Sequence, residues 1–140
     1  MHRTNLKPQL FLLHFAGGNS YSYNFLILHL TTYFDVHALE LPGRGKRLNE
    51  PLIRDYQLAL DDLYEQLISK RTQADYIIYG HSMGATLALA LTEKIEQEIQ
   101  PPLHIVVTGN PGPGIKDISR YNLPPELFMQ ELKTLGGIPK

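Results

Sequence analysis

Residues 76–91, YIIYGHSMGATLALAL, restrict the fold more than any other stretch of the 140-residue chain. A short apolar run passes through Gly80-His81-Ser82-Met83-Gly84 directly into a longer apolar run of helix formers. Strand, tight turn and helix therefore follow one another without a linker. The spacing predicts a strand over 76–79 and a helix over 85–97. Ser82 sits on the turn, where it either caps the helix or is presented as a nucleophile.

The Gly-x-Ser-x-Gly pattern alone is weak, because glycine and serine are common residues. Its setting is stronger: a nucleophile elbow needs a strand immediately before the serine and a helix immediately after it, and both are expected here. The turn is sharp, so the flanking glycines avoid side chains that would clash. The N–H of Met83, first in the helix, points to where an oxyanion would form and is assisted by the helix dipole. A second oxyanion donor normally comes from the loop after a neighbouring strand. His14-Phe15-Ala16-Gly17-Gly18 suits that role, since two glycines let backbone approach a substrate.

The rest of the chain reads as more of the same alternation. LFLLHF, residues 10–15, is a continuous apolar run expected of a strand buried on both faces. Residues 21–32 read as a helix with Phe25, Leu28 and Leu30 among its packing residues. FDVHALEL, residues 34–41, alternates as a second strand, and PGRGKRLNEP, residues 42–51, is a loop rich in turn formers. Asp55 is placed to cap the next helix, with Tyr56, Leu60, Leu63, Leu67 and Ile68 inward and Asp61, Asp62, Glu65 and Gln66 outward. LHIVVT, residues 103–108, is a fourth strand, and residues 126–135 form a last short helix stopped by Gly136-Gly137. Alternating strands and helices imply an α/β fold with a mostly parallel sheet and helices on both faces. Ligands of such sheets bind at the carboxyl ends of the strands, where the Ala16 loop, the Pro42 loop and the Ser82 turn converge.

Composition narrows the function. A net charge of −1 with scattered basic residues gives no electrostatic case for nucleic acid. The chain has no cysteine, which excludes disulfides, thiolate nucleophiles and thiolate zinc sites. No segment approaches the ~20 continuous apolar residues of a membrane span, and the N-terminus lacks a signal-like apolar region, so a cytoplasmic protein is the expectation.

LFLLHFAGGNS, LPGRGKRLNEP and YGHSMGATLA, in that order, resemble the N-terminal part of the type II thioesterases of non-ribosomal peptide and polyketide synthesis, which are α/β-hydrolases. The discriminating element is Pro42-Gly43-Arg44-Gly45-x-Arg47 followed by Glu50-Pro51. Thr108-Gly109 and ELFMQELKTLGGIP resemble the family's next strand and the start of its lid, so the similarity covers nearly the whole chain. His14 departs from it, standing where the family more often has proline.

The resemblance implies hydrolysis of acyl groups from the phosphopantetheine arm of carrier proteins through an acyl-serine. It implies Ser82 as nucleophile and the backbone N–H groups of Ala16 and Met83 as the oxyanion hole. No metal and no resident cofactor are implied, since phosphopantetheine belongs to the substrate carrier protein. Arg44 and Arg47 are expected to be a solvated pair that stabilises the turn rather than substrate ligands.

The serine needs a base, and in this fold the order is Ser, then Asp or Glu, then His. After Ser82 the chain has His104 and Asp117, in reversed order, and His104 opens its strand at the far edge of the sheet. His81 adjoins the serine but leaves the turn in another direction. His2, His29 and His37 lie in a terminus, a helix and a strand away from the turn. His14 lies at the correct edge and stays open as a base, although shaping the loop is the preferred reading. Asn110 stands at the end of the fourth strand, where some hydrolases carry their acid, and Asp117 is a weak alternative.

The resemblance places the family's acid and histidine beyond residue 140. The expected organisation is therefore one partial hydrolase domain over 1–140, lacking the C-terminal strands, with 110–140 the beginning of a lid. On its own such a chain is expected to show little or no turnover, because the aspartate and histidine of the triad are missing from it. The alternatives are a non-catalytic module that binds a carrier or self-associates through the open edge of the fourth strand, and a related serine esterase.

Overall fold

The structure is a computed structural model and describes residues 6–112, 122–134 and 136. The chain divides into two compact units, Met1–Asn110 and Pro111–Lys140. In the first, four strands form one sheet: β1 (Gln9–Leu13), β2 (Asp35–Ala38), β3 (Tyr76–His81) and β4 (His104–Thr108). Their order is β2-β1-β3-β4 and every pairing is parallel. Parallel strands need crossovers. These are made by α1 (Asn24–Leu30), α2 (Tyr56–Lys70) and α3 (Met83–Glu98).

β1 explains the two-layered core. All five of its residues are buried, and alternate side chains enter different clusters. Phe11 and Leu13 join Leu60, Leu63, Leu67, Ile78, Leu87, Leu91 and Ile95, so α2 and α3 cover that face. Leu10 and Leu12 join Tyr23, with Ile27 and Leu30 of α1 against the other face. Helices thus cover both faces, as the alternation predicts, and each fully buried Leu or Ile contributes about 1.5–3 kcal/mol.

The segment after β1 differs from the expected continuous helix. A 3₁₀ turn over Ser20–Tyr23 precedes the seven-residue α1. Tyr23, Ile27 and Leu30 recur at helical spacing toward the sheet, which leaves Phe25 70% and Leu28 78% exposed. The segment is apolar all round, so its pattern did not tell the covered side from the open one. Asp55 does cap α2, its Oδ1 accepting the N–H of Leu58 at 2.9 Å. Leu60, Leu63 and Leu67 face inward, whereas Tyr56 and Ile68 are exposed. β4 pairs with β3 and has no outer partner among the described residues.

The second unit contains α4 (Pro125–Thr134), which begins with proline, a residue whose missing N–H costs nothing at that position. Gly136 takes φ +76 and donates its N–H to Lys133 at 3.1 Å, the stop expected there. Leu135 and Gly137 lie outside the described residues. No described helix is long and apolar enough to cross a membrane.

Candidate active site

Ser82 joins β3 to α3 with φ 55° and ψ −116°. It is the only non-glycine residue at positive φ among the described residues. Such a backbone costs of order 1–3 kcal/mol and persists only where its surroundings enforce it. Here they do. The Ser82 N–H donates to the Thr108 carbonyl at 2.9 Å, and the Ser82 carbonyl accepts from Ala85 at 3.0 Å. The side chain makes no capping hydrogen bond, so the hydroxyl is not spent on the helix.

The two glycines of the motif are required by tertiary approach. A Cβ on Gly80 would lie 2.1 Å from the Gly84 carbonyl oxygen. A Cβ on Gly84 would lie 2.3 Å from the Leu13 oxygen and 2.8 Å from that of His14. The first turn of α3 is therefore seated directly on the carboxyl end of β1. That contact brings the Met83 amide beside the loop that begins at His14.

In that loop Gly18 donates its N–H to Phe15 at 2.9 Å and Gly17 takes φ +77, which makes Phe15–Gly18 a type II turn with Ala16 first of its central pair. Neither the Ala16 N–H nor the Met83 N–H meets an acceptor among the described residues. Among the described residues, these two amides and the Ser82 hydroxyl are all unspent. This combination can hold a developing oxyanion next to a nucleophile.

None of the described histidines shares a hydrogen bond with that hydroxyl, and each has its own place. His104 pairs with Ile77 and Thr108 with His81, so His104 lies at the opposite edge, about 16 Å from the elbow at ~3.3 Å per residue. His81 turns over β4: its Nδ1 is 2.8 Å from Thr108 Oγ1, and its ring meets Phe15 edge-on at 5.9 Å. His37 lies in β2, paired with Asp35 at 2.8 Å. His29 is exposed on α1. Asn110 donates its Nδ2–H to Thr86 Oγ1 at 3.0 Å. His2 and Asp117 lie outside the described residues.

His14 is buried and fully occupied. Its Nδ1 lies 3.1 Å from the Phe15 carbonyl oxygen, which can only accept, so Nδ1 carries the proton and Nε2 faces the Leu41 N–H at 3.5 Å. Burial pushes the imidazole below its ordinary value, with the Arg44 charge adding to that and the Phe15 carbonyl opposing it. A neutral, two-sided brace is its place here. It supports the loop.

The sequence reading passed over Glu40, the residue that ties the loops together. It is 4% exposed, just beyond β2. The Ser20 N–H donates to both carboxylate oxygens at 3.0 and 3.1 Å, and the Lys46 N–H to Oε2 at 3.2 Å. Gln66 brackets its backbone, donating to the carbonyl at 2.7 Å and accepting from the N–H at 3.1 Å. Arg47 donates to the same carbonyl at 2.9 Å, to Asp62 at 2.6 and 2.9 Å, and to Glu50 at 2.6 and 2.8 Å. Asp62 and Gln66 thus turn toward the loop rather than outward. Arg47 stabilises the turn as expected, while Arg44 has a buried Nε without a hydrogen-bond partner. The one sequence signal for Glu40 was Gly45, where a Cβ would lie 2.0 Å from Oε2.

Known proteins share this arrangement of elements. The Thioesterase domain family matches residues 8–140. Linear gramicidin dehydrogenase LgrE of Brevibacillus parabrevis is 31% identical over 94% of this chain and 51% of its own length. The crystal structure of ClbQ, from the colibactin NRPS/PKS pathway, has a TM-score of 0.80 at 30% identity, covering 96% of this chain and 57% of that one. The type II thioesterase BorB, from the borrelidin biosynthetic cluster, gives 0.74 at 30% identity over 98% and 56%. The chain spans about half the length of the curated relatives it matches first. With the family matched across nearly every residue and the α/β-hydrolase scaffold of the thioesterases around Ser82, this chain belongs to the thioesterase domain family.

Proposed function

We propose that this chain carries the nucleophile half of a type II thioesterase that edits acyl groups on carrier proteins of non-ribosomal peptide or polyketide synthesis. The observation that carries the reading is Ser82 itself, held in a strained backbone with its hydroxyl uncommitted. Its Oγ attacks the acyl carbonyl of a thioester on a phosphopantetheine arm, and the Ala16 and Met83 N–H groups take the charge that develops on the carbonyl oxygen. Collapse expels the pantetheine thiolate and leaves an acyl-serine, which water then cleaves. The attack must deliver the Oγ proton to a base, and none of the described histidines meets Ser82. ClbQ and BorB, both biosynthetic proteins at 30% identity, support the substrate class. These 140 residues contain no Gly-x-Gly-x-x-Gly dinucleotide fingerprint of the kind a dehydrogenase carries.

Butyryl-pantetheine hydrolysis, followed by thiol release, tests the proposal on the 140-residue chain. Without the base, oxyanion stabilisation and binding leave an acceleration of roughly 10³ over buffer. That residue of activity is expected to survive Ser82→Ala and to fall strongly in Ala16→Pro, which deletes one N–H at a turn position proline tolerates. A rate equal to buffer would remove the oxyanion reading of Ala16 and Met83, and fast turnover abolished by Ser82→Ala would show that the chain holds its own base. Preference for oxyesters would favour a serine esterase. The unpartnered side of β4 supports one further reading, a binding module that self-associates there; a concentration-independent monomer in sedimentation would count against it.

A further inference from the structure

We propose that Glu40 is a positioning residue that fixes the Ala16 amide in place; the inference rests on the reading of Ala16 as an oxyanion donor. The Ala16 turn has two flanks, and both end on the Glu40-Leu41 segment. On the far flank, the Ser20 N–H reaches both Glu40 oxygens at 3.0 and 3.1 Å. The Ser20 hydroxyl is buried without a partner, so the amide alone makes that tie. On the near flank, His14 clamps the Phe15 carbonyl with Nδ1, and its Nε2 rests 3.5 Å from the Leu41 N–H and 3.8 Å from Glu40 Oε1.

Glu40 cannot drift, because the structure fixes it from four directions. The Lys46 N–H meets Oε2, Gly45 lies flush against it, and Gln66 and Arg47 hold its backbone. The buried carboxylate is compensated by backbone amides, Ser20 at the start of its 3₁₀ turn and Lys46. An acceptor-only group between two N–H donors is what the site requires. The corresponding amide would present a donor to one of them. Between the flanks the turn contains Gly17 and has one backbone hydrogen bond, Gly18 to Phe15, while the Phe15 ring packs edge-on against Tyr23 and His81. The Ala16 peptide itself is held by no hydrogen bond, so its aim follows the flanks.

The test pairs amide exchange with the butyryl-pantetheine assay. In Glu40→Gln, exchange at Ser20 is expected to quicken at least tenfold and the Ala16 amide resonance to move, while β1 and α3 amides hold. The hydrolysis rate at saturation is expected to fall about tenfold, with KM within twofold of the parent. Glu40→Gln combined with Ala16→Pro is expected to be no slower than Ala16→Pro alone, because both remove the same N–H. Glu40→Asp, which keeps the charge but withdraws it by one methylene, serves if the glutamine variant does not fold and is expected to show the same pattern. An unmoved Ser20 exchange and Ala16 resonance, or a double variant slowed by both factors multiplied, would overturn the proposal. If the parent chain never exceeds buffer, the oxyanion reading falls, and the exchange data still decide whether Glu40 holds the turn.

Discussion

Gly84→Ala makes a prediction whose sign separates local from tertiary reasoning. Gly84 is the second residue of α3, and by helix propensity alone alanine there stabilises by up to ~1 kcal/mol. The structure demands the opposite. The new methyl would lie 2.3 Å from the Leu13 oxygen, the last residue of the fully buried β1, and 2.8 Å from the oxygen of His14 just after it. To reach ordinary contact, α3 must withdraw from β1 by about 1 Å. Forcing extra atoms into a packed contact costs about 1–3 kcal/mol, and a fixed backbone oxygen at 2.3 Å belongs in the upper part of that range, about 2–3 kcal/mol, so the net loss is about 1–2 kcal/mol after the propensity gain. For a chain of this size that corresponds to a Tm lower by roughly 3–6 °C. Urea unfolding monitored by far-UV circular dichroism measures it, with Gly17→Ala as the comparison, because no atom lies within 4 Å of a Cβ there and only the strain of φ +77 remains. A Gly84→Ala chain as stable as its parent, or more stable, would refute the seating of α3 on β1.

Other perturbations follow from the loops and the core. Arg47→Ala strips Asp62 of two short charge-assisted bonds and is expected to lose about 2–3 kcal/mol in the same unfolding assay, with Arg47→Lys giving only partial recovery. Arg44→Ala is expected to stay within about 0.5 kcal/mol of the parent, since no hydrogen bond is lost. Tyr23 donates its hydroxyl to the Leu13 carbonyl at 2.9 Å, and burial pushes its phenol up to about 12. Its neutral form is favoured in the folded chain, so its contribution is complete below pH 10 and is lost as the pH rises toward 12; ultraviolet titration should show a late group of tyrosines, with Tyr76 and Tyr64 also raised, that loses one member in Tyr23→Phe. His14 has the opposite edge. Its folded pKa is depressed, so the unfolded chain binds the extra proton and stability falls as the pH drops below 6.5, a slope that should flatten in His14→Gln when urea midpoints are compared across pH 5–7.

What could be read in advance was what the chain encodes locally. The elbow at Ser82 is announced by a strand, a turn and a helix in sixteen consecutive residues, and the structure has that succession. The reason for Gly84, by contrast, is a carbonyl seventy-one residues earlier in the chain, which no local pattern contains. Glu40 was nearly hidden for a related reason: in an alternating strand a glutamate reads as solvent-facing, and apart from the glycine at 45 its partners are backbone amides that have no sequence signature. Asp62 and Gln66 misled in the same way, because the polar side of α2 meets the Pro42 loop instead of water. On α1 the difficulty was excess, with apolar residues on every side of a short helix of which only one is covered.

The position of β1 at the middle of the sheet has a consequence for how the chain is made. Its neighbour β3 begins sixty-three residues after it ends, and at about 5–20 residues per second synthesis of that interval takes roughly 3–13 s. Throughout it, QLFLL has no face suited to water, because every one of its residues is interior in the finished sheet. β2 can shield one edge of it sooner, yet the α3 side stays bare until the elbow itself has been synthesised. The segment that seats the Ser82 turn is thus the buried strand that waits longest for its partners during synthesis.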